Sequence, residues 1–239
     1  MRIKGLLFII VTFFFQLTLL GSNGTTAFPF LDGVPISTSN DYFLILYWYL
    51  PIMAMAFFIT GYFRVALHSH GMLNLTRNYS RFKWILTRFL NVMFVLFLFV
   101  SAQILFFYTN SVMFQPYYQI FNKMFILLTV MYYLSLLITF SFQLLLELFI
   151  EPQLAQLTTN IYIIFSIILA KQLYIIGAPN FISYLLIPNY GNGFRNGLSY
   201  VAVHQGVIIH YTVGFFILIT LQICIIGVSV LKFKKMDIL

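Results

Sequence analysis

Long runs of apolar residues constrain this chain more than any other feature of its sequence. A helix needs about 20 mostly apolar residues to cross the hydrocarbon core of a bilayer. Six runs approach that length, at residues 5–20, 42–63, 86–108, 124–146, 157–176 and 207–231. Only 8% of the 239 residues are charged, against about 25% in soluble domains. The sequence therefore predicts an all-α polytopic membrane protein with one transmembrane domain over residues 1–239 and a kink at Pro51.

The basic residues predict the orientation of these spans. Lys and Arg collect in cytoplasmic loops, and an N-terminus inside the cell places ten of the thirteen basic residues on that side. Both termini are then cytoplasmic. The net charge of +8 needs no polyanion to explain it, and we expect no nucleic-acid partner. A second interpretation of the first run is a cleaved signal peptide, which leaves the remaining topology unchanged.

The cytoplasmic segment 64–88, between the second and third spans, is long for a simple connection. Arg77, Arg81 and Arg88 share one helical face with Trp84, and the segment contains no acidic residue. We expect an interfacial helix here. Two interpretations remain open: an anchor that binds anionic lipid headgroups, or a docking helix for a cytoplasmic partner with an acidic surface.

The external segment 178–206, between the fifth and sixth spans, is too apolar for a free loop and too rich in Pro and Gly for a span. Pro179 and Pro188 bracket a predicted short helix at 181–187. Turn residues follow at 189–197, with Arg195 as their lone charge, and a second short helix is expected at 198–206. Because irregular backbone at membrane depth requires cover by protein or a water-filled cavity, this segment is expected to cap a cavity on the outer side.

The candidate chemical residues predict no catalytic, cofactor or metal site. His68 and His70 have no third ligand nearby, and His204 and His210 are expected in interfacial or capping roles. Glu147 and Glu151 are expected to form a solvated cap or to pair with nearby basic residues at the inner end of the fourth span, with contact to an ATPase subunit as the minor alternative. An ionisable residue within a span is a functional candidate, and Lys171 either reaches outward or lines a cavity. Interhelical hydrogen bonds are expected from Gln103, Gln143, Asn160, Gln172 and Gln222.

Two short motifs resemble parts of a known family, the six-helix permeases of type-2 ABC exporters. The sequence NYSRFKWILTRF at 78–89 resembles that family's connection from the coupling helix to the third span, and IPNYGNGFRNG at 187–197 resembles its external turn before the last span. The chain looks most similar to small bacterial permeases for bacteriocin or lantibiotic export and immunity. It departs from the family in having His68 and His70 where an acidic residue commonly precedes the coupling helix.

The resemblance implies a transporter in a bacterial cell membrane that needs a second subunit. The chain lacks the phosphate loop G-x-x-x-x-G-K-[ST], so a separate cytoplasmic ATPase would drive it. That ATPase would contact a coupling element formed by His70, Leu73, Arg77, Ser80 and Arg81. A second permease chain, identical or related, would complete the path through which a hydrophobic or amphipathic peptide or lipid-like substrate moves outward. Lys171 and Arg195 are the residues expected to line a cavity. The alternative is a non-transporting structural subunit of a larger membrane complex, such as a respiratory or organelle-encoded one, and a membrane enzyme ranks third.

Overall fold

The regular structure of the chain is helical throughout the part that the structure describes. A computed structural model describes residues 2–21, 28–36, 42–67, 80–114, 123–177, 180–199 and 209–235. The α-helices of these residues are α1 (Arg2–Gly21), α2 (Pro29–Asp32), α3 (Tyr42–Ile59), α4 (Tyr62–Ala66), α5 (Arg81–Phe114), α6 (Lys123–Leu146), α7 (Pro152–Ile176), α8 (Asn180–Ser183), α9 (Gly193–Asn196) and α10 (Tyr211–Lys234). A 3-10 helix covers Ile187–Gly191.

Within the described residues, five stretches of helix are long and apolar enough to cross a bilayer. They are Tyr42–Ala66, which contains α3 and α4, Arg81–Asn110 within α5, and the helices α6, α7 and α10. The apolar stretch of α1, Gly5–Thr18, is shorter. At about 1.5 Å per residue, however, the 20 residues of α1 extend about as far as the hydrocarbon core is thick. The prediction of an all-α polytopic membrane protein is confirmed.

The helix α1 lies antiparallel along α3. Near its start, a Cβ atom added to Gly5 would lie 3.0 Å from the ring of Phe58. Near its end, the Gln16 side chain donates to the carbonyl oxygen of Trp48 at 3.3 Å. The two helices therefore stay in contact over about three turns, and α1 crosses the bundle beside a membrane-spanning helix.

The spans begin and end at residues that differ from the predicted ones. The helix α5 starts at Arg81 and continues beyond residue 108, so Trp84 and Arg88 belong to its first turns. The helix α7 starts at Pro152, a residue well suited to the first turn of a helix, and so includes polar residues left out of the prediction. The helix α3 continues through Pro51 and ends at Ile59. The break in this span lies at Thr60 and Gly61, where Gly61 has a φ of +73°.

Hydrogen bonds bring the basic ends of four spans together. The Arg81 guanidinium donates to the carbonyl oxygen of Lys234 at 2.7 Å, which joins the start of α5 to the end of α10. The Gly61 amide donates to Glu147 Oε1 at 2.9 Å, which joins the break between α3 and α4 to the end of α6. This end carries Arg64, Arg81, Lys83, Arg88, Lys232, Lys234 and Lys235. By the preference of basic residues for cytoplasmic loops, it is the cytoplasmic end.

A chain of buried amide and hydroxyl groups crosses the centre of the bundle. Gln103 Nε2 donates to Gln16 Oε1 at 2.6 Å, and the Tyr132 hydroxyl donates to Gln103 Oε1 at 3.1 Å. Gln103 is fully buried, and its partners connect α1, α5 and α6. Gln143 bonds to Thr60 at 3.1 Å and Gln222 to Ser141 at 3.0 Å. The predicted interhelical role is therefore confirmed for Gln103, Gln143 and Gln222, whereas Gln172 is exposed.

Candidate functional site

Residues 180–199, which we call the outer insertion, fold into the bundle at the end opposite the basic residues. The insertion contains α8, the 3-10 helix and α9, and residues 188–193 are buried. Close backbone packing requires glycine in two places. A Cβ on Gly191 would lie 3.3 Å from the Cα of Tyr132 in α6, and one on Gly193 would lie 3.2 Å from the Cα of Asp32. The insertion therefore closes the outer half of the bundle instead of lying on its surface.

The side chain of Arg195 holds three parts of the outer end together. It is fully buried. Its Nε donates to the Val34 carbonyl oxygen at 3.2 Å, and its Nη1 donates to the Ile167 carbonyl oxygen at 3.0 Å and to Asn189 Oδ1. Burial lowers the pKa of Arg195 to about 9, so the guanidinium stays protonated at neutral pH. Arg195 was expected to line a cavity, but the structure places it inside packed protein.

Three asparagines of the outer insertion fix its backbone. Asn189 donates to the Ser166 carbonyl oxygen at 3.1 Å, Asn192 to that of Val34 at 3.1 Å and Asn196 to that of Tyr190 at 2.8 Å. All three side chains are buried. They join the insertion to α7 and to the segment after α2, and pair the Val34 and Tyr190 carbonyl groups, which lie outside the long helices. The motif at 187–197 is rich in Asn and Gly, and this composition is the one sequence feature that could indicate such bonds. The sequence analysis predicts only turns there.

The expected short helices of this segment are only partly found. A helical turn is present at Asn180–Ser183 instead of 181–187, and a further one at Gly193–Asn196 lies within the stretch predicted as turns. The Pro at 188 does not end a helix but lies within the 3-10 helix. The second helix expected at 198–206 falls mostly outside the described residues.

A groove of about 690 Å³ opens between α3 and α7 on the outside of the bundle, among exposed apolar side chains such as Leu46 and Ile161. Its α3 wall is made of aromatic and aliphatic residues, among them Tyr42, Tyr49 and Phe57. Its α7 wall carries three amides, Gln153, Gln156 and Asn160, followed by isoleucines toward the outer end. None of the described residues that line this groove is charged. The volume of this groove falls within the range of small-molecule binding pockets.

The amides of this groove lie on one face of α7 and have capacity to spare. Their spacing of three and then four residues places them on one helical face. Asn160 Oδ1 is buried and has no hydrogen-bond partner. Lys171 does not line this groove; it lies five residues before the end of α7 and is half-buried. The groove thus combines apolar walls with a short line of neutral hydrogen-bonding groups.

The cytoplasmic end holds the described part of the predicted coupling element. Ser80 is exposed, and Arg81 is bound to the end of α10. His70, Leu73 and Arg77 lie outside the described residues, and so does His68. Glu147 is not a solvated cap, because its Oε1 accepts the Gly61 amide in a partly buried position, but the charge of Arg64 acts on it as the alternative prediction expects. Glu151 is exposed.

The remaining candidate side chains show no metal centre in the described ranges. Within them, no group of three or more His, Cys, Asp or Glu residues is placed to hold a metal ion. His210 is exposed at the start of α10, where its Nδ1 lies 2.7 Å from the Thr212 hydroxyl and its ring stacks on Tyr211. Its side chain makes no capping hydrogen bond to α10, so the capping role is not found, and the interfacial role stays a prediction. His204 lies outside the described residues.

Comparison with known proteins assigns the chain to a family. A family model described as "Protein of unknown function (DUF2705)" matches residues 8–239. A relative from Bacillus subtilis (strain 168), named "Uncharacterized protein YybK", is 46% identical over 245 aligned residues, which cover 100% of this chain and 98% of the relative. No solved structure matches. With an insertion that closes its outer end and a groove along α3 and α7, the chain is an integral multi-pass membrane protein that belongs to the DUF2705 family.

Proposed function

We propose that this protein is the permease subunit of an ABC-type exporter. It moves a hydrophobic or amphipathic molecule, a peptide or a lipid-like compound, outward across a bacterial cell membrane, and a separate ATPase subunit drives it. The observation that carries this proposal is the groove between α3 and α7, which faces the membrane and carries neutral amides. The relative in Bacillus subtilis supports a bacterial membrane as its location.

The lining of the groove supports an amphipathic substrate. A purely apolar wall would attract acyl chains without discrimination, whereas Gln153, Gln156 and Asn160 offer both hydrogen-bond donors and acceptors. The absence of charge from the lining makes a strongly ionic substrate unfavourable, since a charge at membrane depth needs a counter-charge. A peptide backbone or an ester-linked lipid satisfies both requirements.

The order of residues along the groove supports movement toward the outer face. The three amides lie in the first half of α7, nearer the basic end, and Ile164 and Ile168 lie beyond them toward the outer end. A molecule would therefore find its polar partners near the cytoplasmic leaflet and its apolar contacts further out. The outer insertion closes the bundle above this path, so its movement would accompany release.

A second permease chain fits the same groove. Amide side chains on a lipid-facing surface are unfavourable unless another helix pairs with them. Because an amide both donates and accepts, the line of amides on α7 is complementary to its own copy related by a two-fold axis. Two chains would then enclose a path between their α3 and α7 helices.

The ATPase would bind the cytoplasmic segment that contains His70, Leu73, Arg77, Ser80 and Arg81. The Arg81 side chain is bonded to the carbonyl oxygen of Lys234, and this bond supports the site. A displacement of the segment before α5 would be transmitted through it to the end of α10.

The decisive experiment purifies the tagged chain in a mild detergent and identifies whatever accompanies it by mass spectrometry. We expect a stoichiometric ATPase with a phosphate loop. The variant Arg77→Glu should lose it, whereas Lys123→Glu, a charge reversal at the opposite end, should keep it. Arg81→Glu is less suitable because it also removes the bond to Lys234. Recovery of respiratory or other membrane subunits without an ATPase would favour the structural-subunit alternative and end the exporter proposal.

A further inference from the structure

A second groove, of about 430 Å³, lies between the α3–α4 span and the first turns of α5. We call it the inner groove. Its apolar walls include Phe58, Val65 and Phe94, and its polar groups come from Tyr62, Arg88 and Asn91. Arg88 lies seven residues after the start of α5, which is about 10 Å along the helix. The groove is therefore near the cytoplasmic end, at the depth where headgroups meet acyl chains.

Arg88 brings a positive charge into the inner groove and has donor capacity left over. Its guanidinium carbon lies 5.0 Å from the centre of the Trp84 ring and 5.9 Å from that of Tyr62. These aromatic faces hold the guanidinium in place but accept none of its in-plane hydrogen bonds. Its Nε is buried and has no hydrogen-bond partner. The described carboxylates at this end belong to Glu147 and Glu151, and neither lines the groove.

Tyr62 and Asn91 add a second donor beside this charge. Asn91 Nδ2 donates to the Tyr62 hydroxyl oxygen at 3.2 Å. Because that oxygen already accepts a bond, the hydroxyl hydrogen is free to be donated to another group. The inner groove thus offers a guanidinium and a phenol hydrogen to an anion, next to exposed aromatic side chains such as Phe94.

We propose that the inner groove binds the phosphate of an anionic phospholipid from the cytoplasmic leaflet. The Arg88 guanidinium binds the phosphate oxygens, for which its planar set of donors is suited, and the Tyr62 hydroxyl donates to a further oxygen. The acyl chains extend along Phe58 and Phe94 toward the membrane centre. Basic pockets between transmembrane helices on this side commonly hold such headgroups. The site is independent of the proposed transport function.

The charge of the groove and its apolar walls together favour a lipid over other anions. A free phosphate would use Arg88 and Tyr62 but leave the aliphatic and aromatic walls uncovered. A zwitterionic lipid would place its positive choline group near Arg88 and the other basic residues at this end. Only an anionic lipid satisfies the charge and covers the walls.

The test is native mass spectrometry of the full chain in detergent, titrated with phosphatidylglycerol or phosphatidylcholine. We expect phosphatidylglycerol to bind about tenfold more tightly, a difference of about 1.4 kcal/mol, and to raise the melting temperature. Arg88→Gln should abolish the preference, whereas Lys83→Gln, an exposed basic residue in the same helix, should retain it. Equal binding of the two lipids, or an unchanged preference in Arg88→Gln, would overturn the proposal.

Two further measurements keep the test decisive if Arg88→Gln fails to fold. Tyr62→Phe removes only the hydroxyl, keeps the aromatic face and should weaken phosphatidylglycerol binding about threefold, because one donor to the phosphate is lost. Inorganic phosphate alone, at millimolar concentration, should neither raise the melting temperature nor displace the lipid. A Tyr62→Phe variant with unchanged phosphatidylglycerol affinity, or stabilisation by free phosphate equal to that by lipid, would contradict a lipid site.

Discussion

The Glu147 carboxylate accepts the backbone amide of Gly61 at 2.9 Å, where the second span breaks between α3 and α4. Gly61 has a left-handed backbone conformation, and its amide is left without a partner within the helix by that break. One carboxylate from the end of α6 thus supplies the missing acceptor. The contact fixes the start of α4 against the end of α6.

The position of Glu147 predicts a pH-dependent stability. Burial raises the pKa of Glu147 to about 7, although the amides of Gly61 and Phe63 favour its ionised form. The folded state therefore binds a proton that the unfolded state has lost, and stability falls as pH rises from about 4.5 to about 7. The loss is at most roughly 3 kcal/mol. Thermal unfolding in detergent between pH 5 and pH 8 should show this decline.

The variant Glu147→Gln distinguishes the pH dependence caused by Glu147 from that of other ionisable groups. The amide replaces the neutral carboxyl and still offers an acceptor to Gly61, so we expect the decline between pH 5 and pH 8 to flatten. Glu151→Gln is the matched control, because Glu151 is exposed, and its profile should follow that of the unaltered protein. A decline that persists in Glu147→Gln would assign the effect to another group.

Two glycines of α10 predict opposite outcomes for the same substitution. A Cβ added to Gly214 would lie 2.7 Å from Cδ1 of Tyr190, whose hydroxyl is bonded to the Tyr184 carbonyl oxygen. Gly214→Ala should therefore separate α10 from the outer insertion and destabilise the fold by about 1–3 kcal/mol. Gly227 has no atom within 4 Å of such a Cβ, and Gly227→Ala should be neutral or stabilising. Melting temperatures of the two variants compare these expectations directly.

The central amides predict a measurable coupling between α1 and α5. Gln103→Leu leaves Gln16 Oε1 and the Tyr132 hydroxyl without their partner inside the bundle, at a cost of about 1–3 kcal/mol. The double variant Gln16→Leu with Gln103→Leu removes both members of the amide pair and should lose less stability than the two single variants added together. A double-mutant cycle of detergent unfolding should give about 1 kcal/mol of coupling. Simple additivity would mean that the bond contributes nothing.

Removal of the Arg195 guanidinium should open the outer end. Arg195→Met keeps the aliphatic stem but removes the donors that link Val34, Ile167 and Asn189, and Arg195→Lys cannot match their geometry. We expect a loss of roughly 2–4 kcal/mol for either variant. A Cys introduced at buried Leu198, in a Cys224→Ala background, should react with a membrane-impermeant maleimide only in the Arg195 variants. Equal reactivity with Arg195 present would contradict the packed outer insertion.

The fold was predictable where composition alone decides it, and the site was not. The run 124–146 differs from α6 by one residue, because apolar length fixes a span. The predicted span 157–176 lacks the first five residues of α7, because Gln153 and Gln156 are polar. These polar residues fit within the span because they line the groove. The sequence shows Arg195 as the lone charge of its segment. Its partners include the backbone carbonyls of Val34 and Ile167, and no sequence pattern indicates them. The same holds for Gly61 and Glu147, which are 86 residues apart.

The burial of Arg195 has a consequence for the order in which the protein is made. The Val34 carbonyl oxygen that it binds emerges from the ribosome 161 residues earlier, and the Ile167 carbonyl oxygen precedes it by 28. The outer half of the bundle therefore stays incomplete until the positively charged side chain of Arg195 has crossed the membrane. Capture of that charge by groups already delivered to the far side then links the segment after α2 to α7.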